Sequence, residues 1–511
     1  MSIVKDLIRG ALSGYIVRIT QVIVSLLMVP FLLQDKILGL NGYGEIFTLI
    51  AILVLMSLIL DGIKLSQSRF ISKSLDTHEH TSQVLGSSIK LVLFITSLIG
   101  SIISFFPTTL TDLAGLPQRD DIIFSLYAIC LIFILENTFY SFESILHALG
   151  RTYLINFISG IEVIGRNLVI VVYFIFFDVN ILIWFIAQLS FVAMRIIIYF
   201  FVIFNIRRNL LKGFLTADIR SSFKILRYSL PASGRALSEA LIYRASIIVS
   251  SHFLGPEAAG AVSLVVGTIR NYMVQSLFSI FRPMMIPLMS RINLENLNKE
   301  QQQKIIFLSG LYTAIVFFTG FLSIAIMPEL VKLWLGVSFY YLAPVIQLIV
   351  LSCILELSAS IKNSLLISHG DVKAFVTLDV PLAFLCFLGI LTGAVYFSWH
   401  LIIISVATYG ILSGGILIDY IFHKNMSFLK LGNHSTSYTR LLVSLVLFAI
   451  TFGISNSEFS GIDRLTTIVA QASFAIILST IVIHFFIINI FNAVNIAKQI
   501  FLKERPEHIQ R

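Results

Sequence analysis

The sequence has 511 residues, of which 57% are hydrophobic and only 12% are charged, and its mean hydropathy is +0.93. Soluble globular domains usually carry about 25% charged residues, so this composition excludes an ordinary soluble domain. The formal net charge of +9 does not indicate a nucleic-acid partner, because the basic residues lie between long apolar blocks in the pattern of a membrane protein.

Fourteen apolar blocks are long enough to be transmembrane helices, since about 20 apolar residues span a bilayer. They cover residues 11–33, 45–63, 88–106, 122–146, 153–177, 181–204, 229–252, 259–282, 305–327, 341–367, 375–398, 401–422, 438–455 and 466–491. The first block is too long for the apolar region of a signal peptide, so we predict a retained helix there. The expected fold class is an all-α polytopic membrane protein with 14 transmembrane helices.

The basic residues between the blocks predict the orientation of the chain. With the N-terminus in the cytoplasm, the inward loops and tails hold most of these residues, whereas the outward loops hold only Lys36, Arg119, Lys332 and Arg464. This asymmetry follows the positive-inside rule. It predicts that both termini are cytoplasmic, as an even number of helices requires.

A weak internal duplication divides the chain. Three similarities recur in the same order in the two halves. Leu38-Gly39 followed by Gly44 is similar to Leu254-Gly255 followed by Gly260. Ser72-Lys73 is then similar to Ser290-Arg291, and Gly150 is similar to Gly370. The repeat unit contains six helices, an even number, so both halves have the same orientation, which is a known transporter design.

The duplication predicts four parts of the chain. They are an N-terminal lobe of helices 1–6 (1–205), a basic cytoplasmic linker (206–228), a C-terminal lobe of helices 7–12 (229–423), and helices 13–14 with a cytoplasmic tail (424–511).

Charged residues inside the predicted spans are the candidate functional residues, because such groups usually face a protein interior or a water-filled cavity. On helices 1, 2, 7 and 8 they are Arg18, Asp61, Arg235, Glu239, Arg244 and Arg270. Four arginines against two carboxylates predict a cationic cavity if these helices line it. The planar guanidinium fork suits phosphate oxygens, so this cavity favours an anionic substrate.

The spacing within helix 7 separates its three charges. Arg235 matches Arg18 in the duplication, and Glu239 follows Arg235 by four residues, so these two share a helix face and are expected to pair. Arg244 follows Arg235 by nine residues, which is about 180° around an ideal helix. It reaches the same face only if the helix bends, and Pro231 and Gly234 indicate a bend near the start of the helix.

Other polar residues inside the apolar blocks can be explained by structural roles. Glu162 and Arg166 have the spacing of an ion pair within one helix. The stripe that includes Glu136 and Glu143 is compatible either with a cavity wall or with hydrogen bonds to neighbouring helices. Cys130, Cys353 and Cys386 all lie in apolar blocks, so we expect reduced packing residues and neither a disulfide nor a metal site.

The fourteen helices, the six-helix parallel repeat, the Leu-Gly…Gly loops and the Ala148-Leu149-Gly150-Arg151 turn resemble the multidrug/oligosaccharidyl-lipid/polysaccharide exporter superfamily. Within it, the sequence resembles the bacterial polysaccharide-repeat-unit flippases of the Wzx or O-antigen type. The resemblance covers nearly the whole chain through short motifs.

This resemblance implies two lobes in a V around a cavity lined by helices 1, 2, 7 and 8. It implies alternating-access export of an undecaprenyl-diphosphate-linked oligosaccharide, such as an O-antigen repeat unit for lipopolysaccharide, across the bacterial inner membrane. H⁺ or Na⁺ is the implied coupling ion, with no other cofactor, no metal and no catalytic residue. The implied partners are the lipid-linked oligosaccharide, membrane lipids, a polysaccharide polymerase and a chain-length regulator.

By helix position, the resemblance makes Arg18, Arg235, Arg244 and Arg270 substrate-binding residues. It makes Asp61 and Glu239 coupling or ion-pair residues.

Three alternatives remain open at the level of sequence. A peptidoglycan-precursor (lipid II) flippase shares the 14 helices and the cationic cavity, but typically has an Arg-Asp stretch in helix 1, where this chain has Tyr15-Ile16-Val17-Arg18. A multidrug antiporter often has an acidic residue in helix 1, which is absent here. A membrane glycosyltransferase or polymerase needs a larger outward loop than residues 107–121, and the chain is therefore not expected to be an enzyme.

Overall fold

The computed structural model describes residues 2–74, 78–149, 151–211, 219–278, 299–369, 375–425 and 444–453. These residues form helices and turns, with no β-strand among them, which confirms the all-α class. The helices are α1 (Ser2–Leu32), α2 (Gly39–Ser74), α3 (His78–Phe105), α4 (Pro107–Leu113), α5 (Asp120–Ala148), α6 (Thr152–Phe176), α7 (Ile181–Leu211), α8 (Ile219–Tyr243), α9 (Ala245–Leu254), α10 (Pro256–Val262), α11 (Asn271–Phe278), α12 (Lys299–Trp334), α13 (Ala343–Ser358), α14 (Ser360–His369), α15 (Val380–Val395), α16 (Trp399–Leu412), α17 (Ile418–Asn425) and α18 (Ser444–Gly453). A 3₁₀ segment covers Val337–Leu342, and π-helical segments cover Ser263–Arg270, Phe375–Asp379 and Ser413–Leu417.

Nine spans in the described part of the chain are long and apolar enough to cross a membrane, so the protein is a multi-pass membrane protein. They correspond to predicted helices 2–6 and 9–12 and cover Gly39–Leu58, Gln83–Phe105, Asp120–His147, Thr152–Phe176, Ile181–Asn205, Ser309–Trp334, Val337–Ser358, Val376–Val395 and Trp399–Lys424. Predicted helices 1 and 13 contain shorter apolar stretches, Ile19–Leu32 and Ser444–Gly453. Predicted helix 14 lies outside the described residues, and the total of 14 stays a prediction.

Predicted helices 7 and 8 are not among the nine spans found in the described residues, and both are irregular, so their crossing of the membrane stays a prediction. Helix 7 is divided into α8 and α9, which meet at Arg244. Helix 8 begins as α10, widens into the π-helical segment Ser263–Arg270 and ends as α11. The bend expected near Pro231 stays a prediction, because α8 is helical through that residue to Tyr243 and a helix can bend at a proline without a break.

The chain divides into two compact units, one formed by residues 1–287 and 371–409, the other by residues 288–370 and 410–511. In the first unit α2 is central, and α3, α5, α8, α9 and α10 all pack against it. In the second unit α12 packs against α13, and α14 packs against α17. The division into lobes of six helices stays a prediction.

The two loops that the duplication makes equivalent adopt related conformations. Gly39 and Gly255 both have a positive φ, of 62° and 89°, a region that side chains with a Cβ rarely adopt. The equivalent glycines that follow lie at the contact of α2 with α10. A Cβ on Gly44 would meet the carbonyl of Pro256, and a Cβ on Gly260 would meet the carbonyl of Leu40. Glycine at these two positions therefore lets α2 and α10 approach closely.

We expect Gly44→Ala to destabilise the first unit, because the new methyl group meets backbone that cannot rotate away. Overpacking of this kind costs about 1–3 kcal/mol. Thermal unfolding of the purified protein in detergent measures the loss. Gly453→Ala is the matched control, since a Cβ there has nothing within 4 Å. Equal melting temperatures for the two variants would contradict the close packing of α2 on α10.

Candidate functional site

The first unit contains a group of charged and aromatic side chains that come from separate stretches of sequence. We call it the arginine cluster, and it consists of Arg235, Glu239, Tyr243, Arg244, Arg270, Asp379 and Tyr409. These residues come from α8 and its junction with α9, from the two π-helical segments at 263–270 and 375–379, and from α16. Packing of α15 against both α8 and α9 brings the elements together.

Arg235 is held by two carboxylates. Its Nε donates to Oε1 of Glu239 at 2.9 Å, which is the ion pair expected from their spacing along the helix. Its Nη1 donates to both carboxylate oxygens of Asp379 at 3.2 Å. The charge of Arg235 is therefore balanced within the protein, and this network consumes donors that a substrate would otherwise use.

Asp379 belongs to the arginine cluster but is not among the candidate site residues predicted from the sequence. It ends a π-helical segment, its exposed fraction is 0%, and it lies 144 residues beyond its partner in the chain. The hydroxyl of Tyr409 also donates to it, at 3.1 and 3.2 Å. The only sequence feature that could have indicated a role for Asp379 is its position inside an apolar block. Local spacing cannot connect it with Arg235, because the two residues are too far apart in the chain.

Arg270 stacks on an aromatic ring. Its guanidinium carbon lies 3.3 Å from the ring centroid of Tyr243, which is the geometry of a cation–π interaction. The Tyr243 ring contacts the Tyr409 ring edge to face, with centroids 5.8 Å apart and an interplanar angle of 70°. Arg270 itself is only 5% exposed, so the ring replaces part of the water that this guanidinium would otherwise contact.

Arg244 occupies the junction of α8 and α9. Its carbonyl accepts a bond from the amide of Ile247 at 3.2 Å, three residues on, which marks an irregular turn. The Arg244 amide still donates to the carbonyl of Ala240 at 3.0 Å, four residues back, so the helix is regular up to Arg244 and the irregular turn follows it. The Arg244 side chain is partly accessible, and the charges of Arg270 and Glu239 act on it. Among the described residues, its guanidinium makes neither an ion pair nor a hydrogen bond.

The remaining two candidates do not join this cluster in the described structure. Asp61 pairs with Lys64 at 3.2 Å on the same helix, and its side chain is 43% exposed. Arg18 lies on α1, but its side chain is outside the described residues. A role for either residue in substrate binding or coupling stays a prediction.

A second network joins α5, α6 and α7. Arg195 binds Oε1 of Glu136 at 3.1 Å and Oε2 of Glu162 at 3.0 Å, and Tyr199 donates to Glu143 at 3.2 Å. The predicted Glu162–Arg166 pair is wrong, because Arg195 of the neighbouring helix takes the Glu162 carboxylate. Glu136 and Glu143, the two glutamates of the polar stripe on α5, therefore both bond to side chains of α7.

The second unit has its own buried ion pair. Lys362 on α14 binds Oδ1 of Asp419 on α17 at 2.6 Å, and both residues are almost fully buried. Within the described residues, no group of three or more His, Cys, Asp or Glu side chains is arranged to hold a metal ion. The three cysteines are buried free thiols.

The arginine cluster carries an excess of positive charge. Three guanidinium groups, those of Arg235, Arg244 and Arg270, face two carboxylates, those of Glu239 and Asp379. Both carboxylates bind Arg235, and Arg244 makes no ion pair among the described residues. The charge of Arg270 acts on Arg244, and because like charges repel each other, an anion placed beside both would reduce the repulsion.

Comparison with known proteins identifies the fold. No family model matches the sequence, and no curated protein sequence matches it. A mutant of the MATE transporter VcmN from Vibrio cholerae aligns with 84% of this chain and 98% of its own, at 16% identity and a TM-score of 0.63. A MOP superfamily transporter from Pyrococcus furiosus aligns with 83% of this chain and 96% of its own, at 13% identity and a TM-score of 0.60.

An outward-facing multidrug resistance transporter of the MATE family is also similar, at 10% identity and a TM-score of 0.58, with 84% of this chain and 97% of that chain aligned. At these identities the likeness shows a common fold. The chain therefore has the polytopic helical fold of MATE transporters of the MOP superfamily.

We expect Arg235→Met to destabilise the protein strongly, because it leaves Asp379 buried without its cation. Breaking a buried pair in this way costs about 3–5 kcal/mol. The double variant Arg235→Met with Asp379→Asn removes both charges and is expected to recover part of the loss. Thermal unfolding in detergent measures both effects.

The control is Lys64→Met, which breaks the more exposed pair with Asp61 and is expected to cost about 1 kcal/mol or less. A double variant that is less stable than Arg235→Met alone would contradict the assignment of Arg235 to an internal ion pair.

Proposed function

We propose that the protein is a flippase for a lipid-linked anionic oligosaccharide. Its substrate is an undecaprenyl-diphosphate-linked repeat unit of an O-antigen or exopolysaccharide, moved from the inner to the outer leaflet of the bacterial cytoplasmic membrane by alternating access. One observation carries this proposal, which is the placement of Arg244 beside Arg270 on predicted transmembrane helices 7 and 8, with Arg244 lacking an ion pair among the described residues.

Burial of a charge costs free energy that a compensating group must offset. An arginine at the centre of a membrane helix costs about 2.5–3.5 kcal/mol on insertion scales, so its retention without a carboxylate calls for another compensating group. A diphosphate supplies several negative charges on closely spaced oxygens. The planar donors of two guanidinium groups match such oxygens better than they match any neutral or cationic ligand.

The structural neighbours support transport as the general activity, since proteins of this fold include transporters of the MATE and MOP groups. The Pyrococcus furiosus neighbour is described as having a binding pocket of reverse polarity, from which a different function is suggested for that protein. By analogy, a change in the charge of the pocket is compatible with this fold, and the excess positive charge here favours an anion.

The proposal places both termini in the cytoplasm, on the strength of the basic residues in the inward loops. A proton or sodium gradient supplies the energy, with Glu239 and Asp61 as the candidate coupling residues. A polysaccharide polymerase and a chain-length regulator are the expected partners on the outer side, because they use the exported repeat unit.

Multidrug export is the second candidate function, and the similarity to multidrug resistance transporters favours it. It requires a site for lipophilic cations, for which Glu239 is the accessible carboxylate of the cluster. Lipid II export is the third, and its substrate has the same diphosphate. Loss of the gene separates the two flippase functions, since loss of surface polysaccharide without lysis indicates a repeat unit and lysis indicates a peptidoglycan precursor.

We expect Arg244→Ala to weaken binding of undecaprenyl diphosphate to the purified protein by about tenfold or more, because a charge-assisted contact is worth about 1.5–3 kcal/mol. The matched control is Arg227→Ala, which removes an exposed arginine from the same helix α8 and is expected to leave the dissociation constant unchanged.

Two further ligands make this experiment decisive. Undecaprenol lacks the diphosphate and is expected to bind weakly to both variants, whereas tetraphenylphosphonium represents the lipophilic cations of multidrug export. Undecaprenyl diphosphate binding that is no tighter than undecaprenol binding would contradict the proposal. Tight tetraphenylphosphonium binding that depends on Glu239 would favour multidrug export instead.

A further inference from the structure

Helices α5, α6 and α7 share a network of charges inside their apolar spans. Arg195 of α7 binds Glu136 of α5 at 3.1 Å and Glu162 of α6 at 3.0 Å, and Tyr199 of α7 donates to Glu143 of α5 at 3.2 Å. All three helices are among the spans that are long and apolar enough to cross a membrane. The network therefore places several ionisable groups where charge is costly.

The charges of this network are not fully paired. Its three glutamates outnumber its two arginines, Arg166 and Arg195, and two of the glutamates share Arg195. Among the described residues, Glu143 makes no ion pair and accepts a hydrogen bond only from Tyr199. Nε of Arg166 is buried and has no hydrogen-bond partner there. One carboxylate and one guanidinium group are thus left without an ion-pair partner.

We propose that Glu143 is the proton-binding group that couples transport to a proton gradient, and that its protonation decides which arginine binds Glu162. With Glu143 protonated, Arg195 binds Glu162, as in the structure. With Glu143 ionised, Arg195 turns toward Glu143, and Glu162 pairs with Arg166 instead. The proton is taken from water on one side of the membrane and returned to water on the other. The inference rests on the proposed function and adds to it the site of coupling.

The exchange of partners is open to Glu162 because two arginines are within its electrostatic range. The charges of Arg195 and Arg166 both act on it. Arg166 follows Glu162 by four residues, a spacing that suits an ion pair within one helix. Glu143 in turn acts on Arg195. Each new pair thus joins groups that already interact electrostatically, and the pair predicted by spacing within α6 becomes the second state of the network.

The partner of Glu143 distinguishes it from the other carboxylates considered for coupling. Asp61 and Glu239 each bind a cationic side chain, and a cation stabilises the ionised form of a carboxylate. Glu143 binds only the neutral hydroxyl of Tyr199. Protonation of Glu143 therefore removes an uncompensated charge from the span without breaking an ion pair.

The surroundings of Glu143 favour a proton as the coupling ion. Its side chain is partly accessible, and its charge acts on His147, which follows one helical turn later. Nδ1 of His147 lies 3.3 Å from Oγ1 of Thr152, the first residue of α6. Glutamate and histidine in series are typical of proton relays in transporters.

Few charged groups face Glu143 from the helices around it. Those that interact with it electrostatically are His147 of α5, Glu162 of α6, and Arg195 and Tyr199 of α7. From α2, Nζ of Lys64, which pairs with Asp61, lies 5.5 Å from the ring centroid of Tyr140 on α5. From α3, Lys90 is exposed. Arg195 is therefore the cation that Glu143 competes for.

Double-mutant cycles on thermal unfolding of the full-length protein in detergent measure the exchange without any ligand. One cycle combines Arg195→Met with Glu162→Gln, and the other combines Arg166→Met with Glu162→Gln. At acidic pH we expect coupling in the first cycle only. As the pH rises and Glu143 ionises, most of the coupling between Arg195 and Glu162 is expected to be lost, and coupling between Arg166 and Glu162 is expected to appear.

Glu143→Gln fixes the network in its protonated arrangement. In this background we expect the coupling between Arg195 and Glu162 to keep its acidic value across the pH series. The matched control is Glu257→Gln, which removes an exposed glutamate of α10 and is expected to keep the wild-type pH dependence. Coupling that does not change with pH in the wild type, or that changes equally in Glu143→Gln, would overturn the exchange.

A second measurement uses single variants only. Calorimetry of undecaprenyl diphosphate binding, in buffers that differ in ionisation enthalpy, counts the protons exchanged on binding. We expect proton exchange in the wild type and its loss in Glu143→Gln, with binding retained. Exchange that persists in Glu143→Gln and is lost in Glu239→Gln or Asp61→Asn would overturn the assignment to Glu143. Binding that requires Na⁺ and exchanges no proton would also overturn it.

The two measurements separate this inference from the proposed function. Failure of the wild type to bind undecaprenyl diphosphate, together with a pH-dependent exchange of ion pairs, would overturn the proposed substrate and support proton binding at Glu143. Binding of undecaprenyl diphosphate that depends on Arg244, together with pH-independent ion pairs, would overturn the role of Glu143 alone.

Discussion

A guanidinium group keeps its charge at every depth of a membrane, so each arginine inside this fold must be matched by a carboxylate, an aromatic ring or an anion from outside. Arg235 is matched by Glu239 and Asp379, and Arg195 is matched by Glu136 and Glu162. Arg270 is matched by the ring of Tyr243. Arg244 and Arg166 both lack an ion pair among the described residues, but the carboxylates of Glu162 and Glu136 act on Arg166 whereas the like charge of Arg270 acts on Arg244, and this like-charge pair is the basis for the functional account.

The same constraint connects function to backbone geometry. Three charged groups of the arginine cluster, those of Arg244, Arg270 and Asp379, lie where helices depart from regular α geometry, at the α8–α9 junction and at the ends of two π-helical segments. Irregular turns change the direction in which a side chain leaves the helix, so residues that an ideal helix would separate can meet. They are also weaker than regular turns, which suits the rearrangement that the proposed alternating-access function requires.

Much of this architecture is predictable from sequence because apolar length and local spacing are sufficient signals. Hydropathy identifies the nine described spans, and four-residue spacing identifies the Arg235–Glu239 pair. The internal duplication makes two loops equivalent, and this equivalence identifies Gly44 and Gly260, which lie where α2 packs against α10.

The errors have a common physical origin, which is that helix spacing cannot describe contacts between helices or irregular turns. Glu162 has a suitable arginine four residues away, yet Arg195 on the next helix takes it. Sequence spacing cannot predict that Asp379 and Tyr409 contact Arg235, because only tertiary packing brings these residues together. The helix also breaks at Arg244, where no proline is present to predict it.

The central claim is that Arg244 and Arg270 together receive an anionic headgroup. An electron cryomicroscopy map of the full-length protein with bound undecaprenyl diphosphate tests it most directly. The account predicts density for the diphosphate within hydrogen-bonding distance of both guanidinium groups, with the Arg235–Asp379 pair intact beneath it. Density for the headgroup elsewhere, with Arg244 and Arg270 making no contact to phosphate oxygens, would contradict the account.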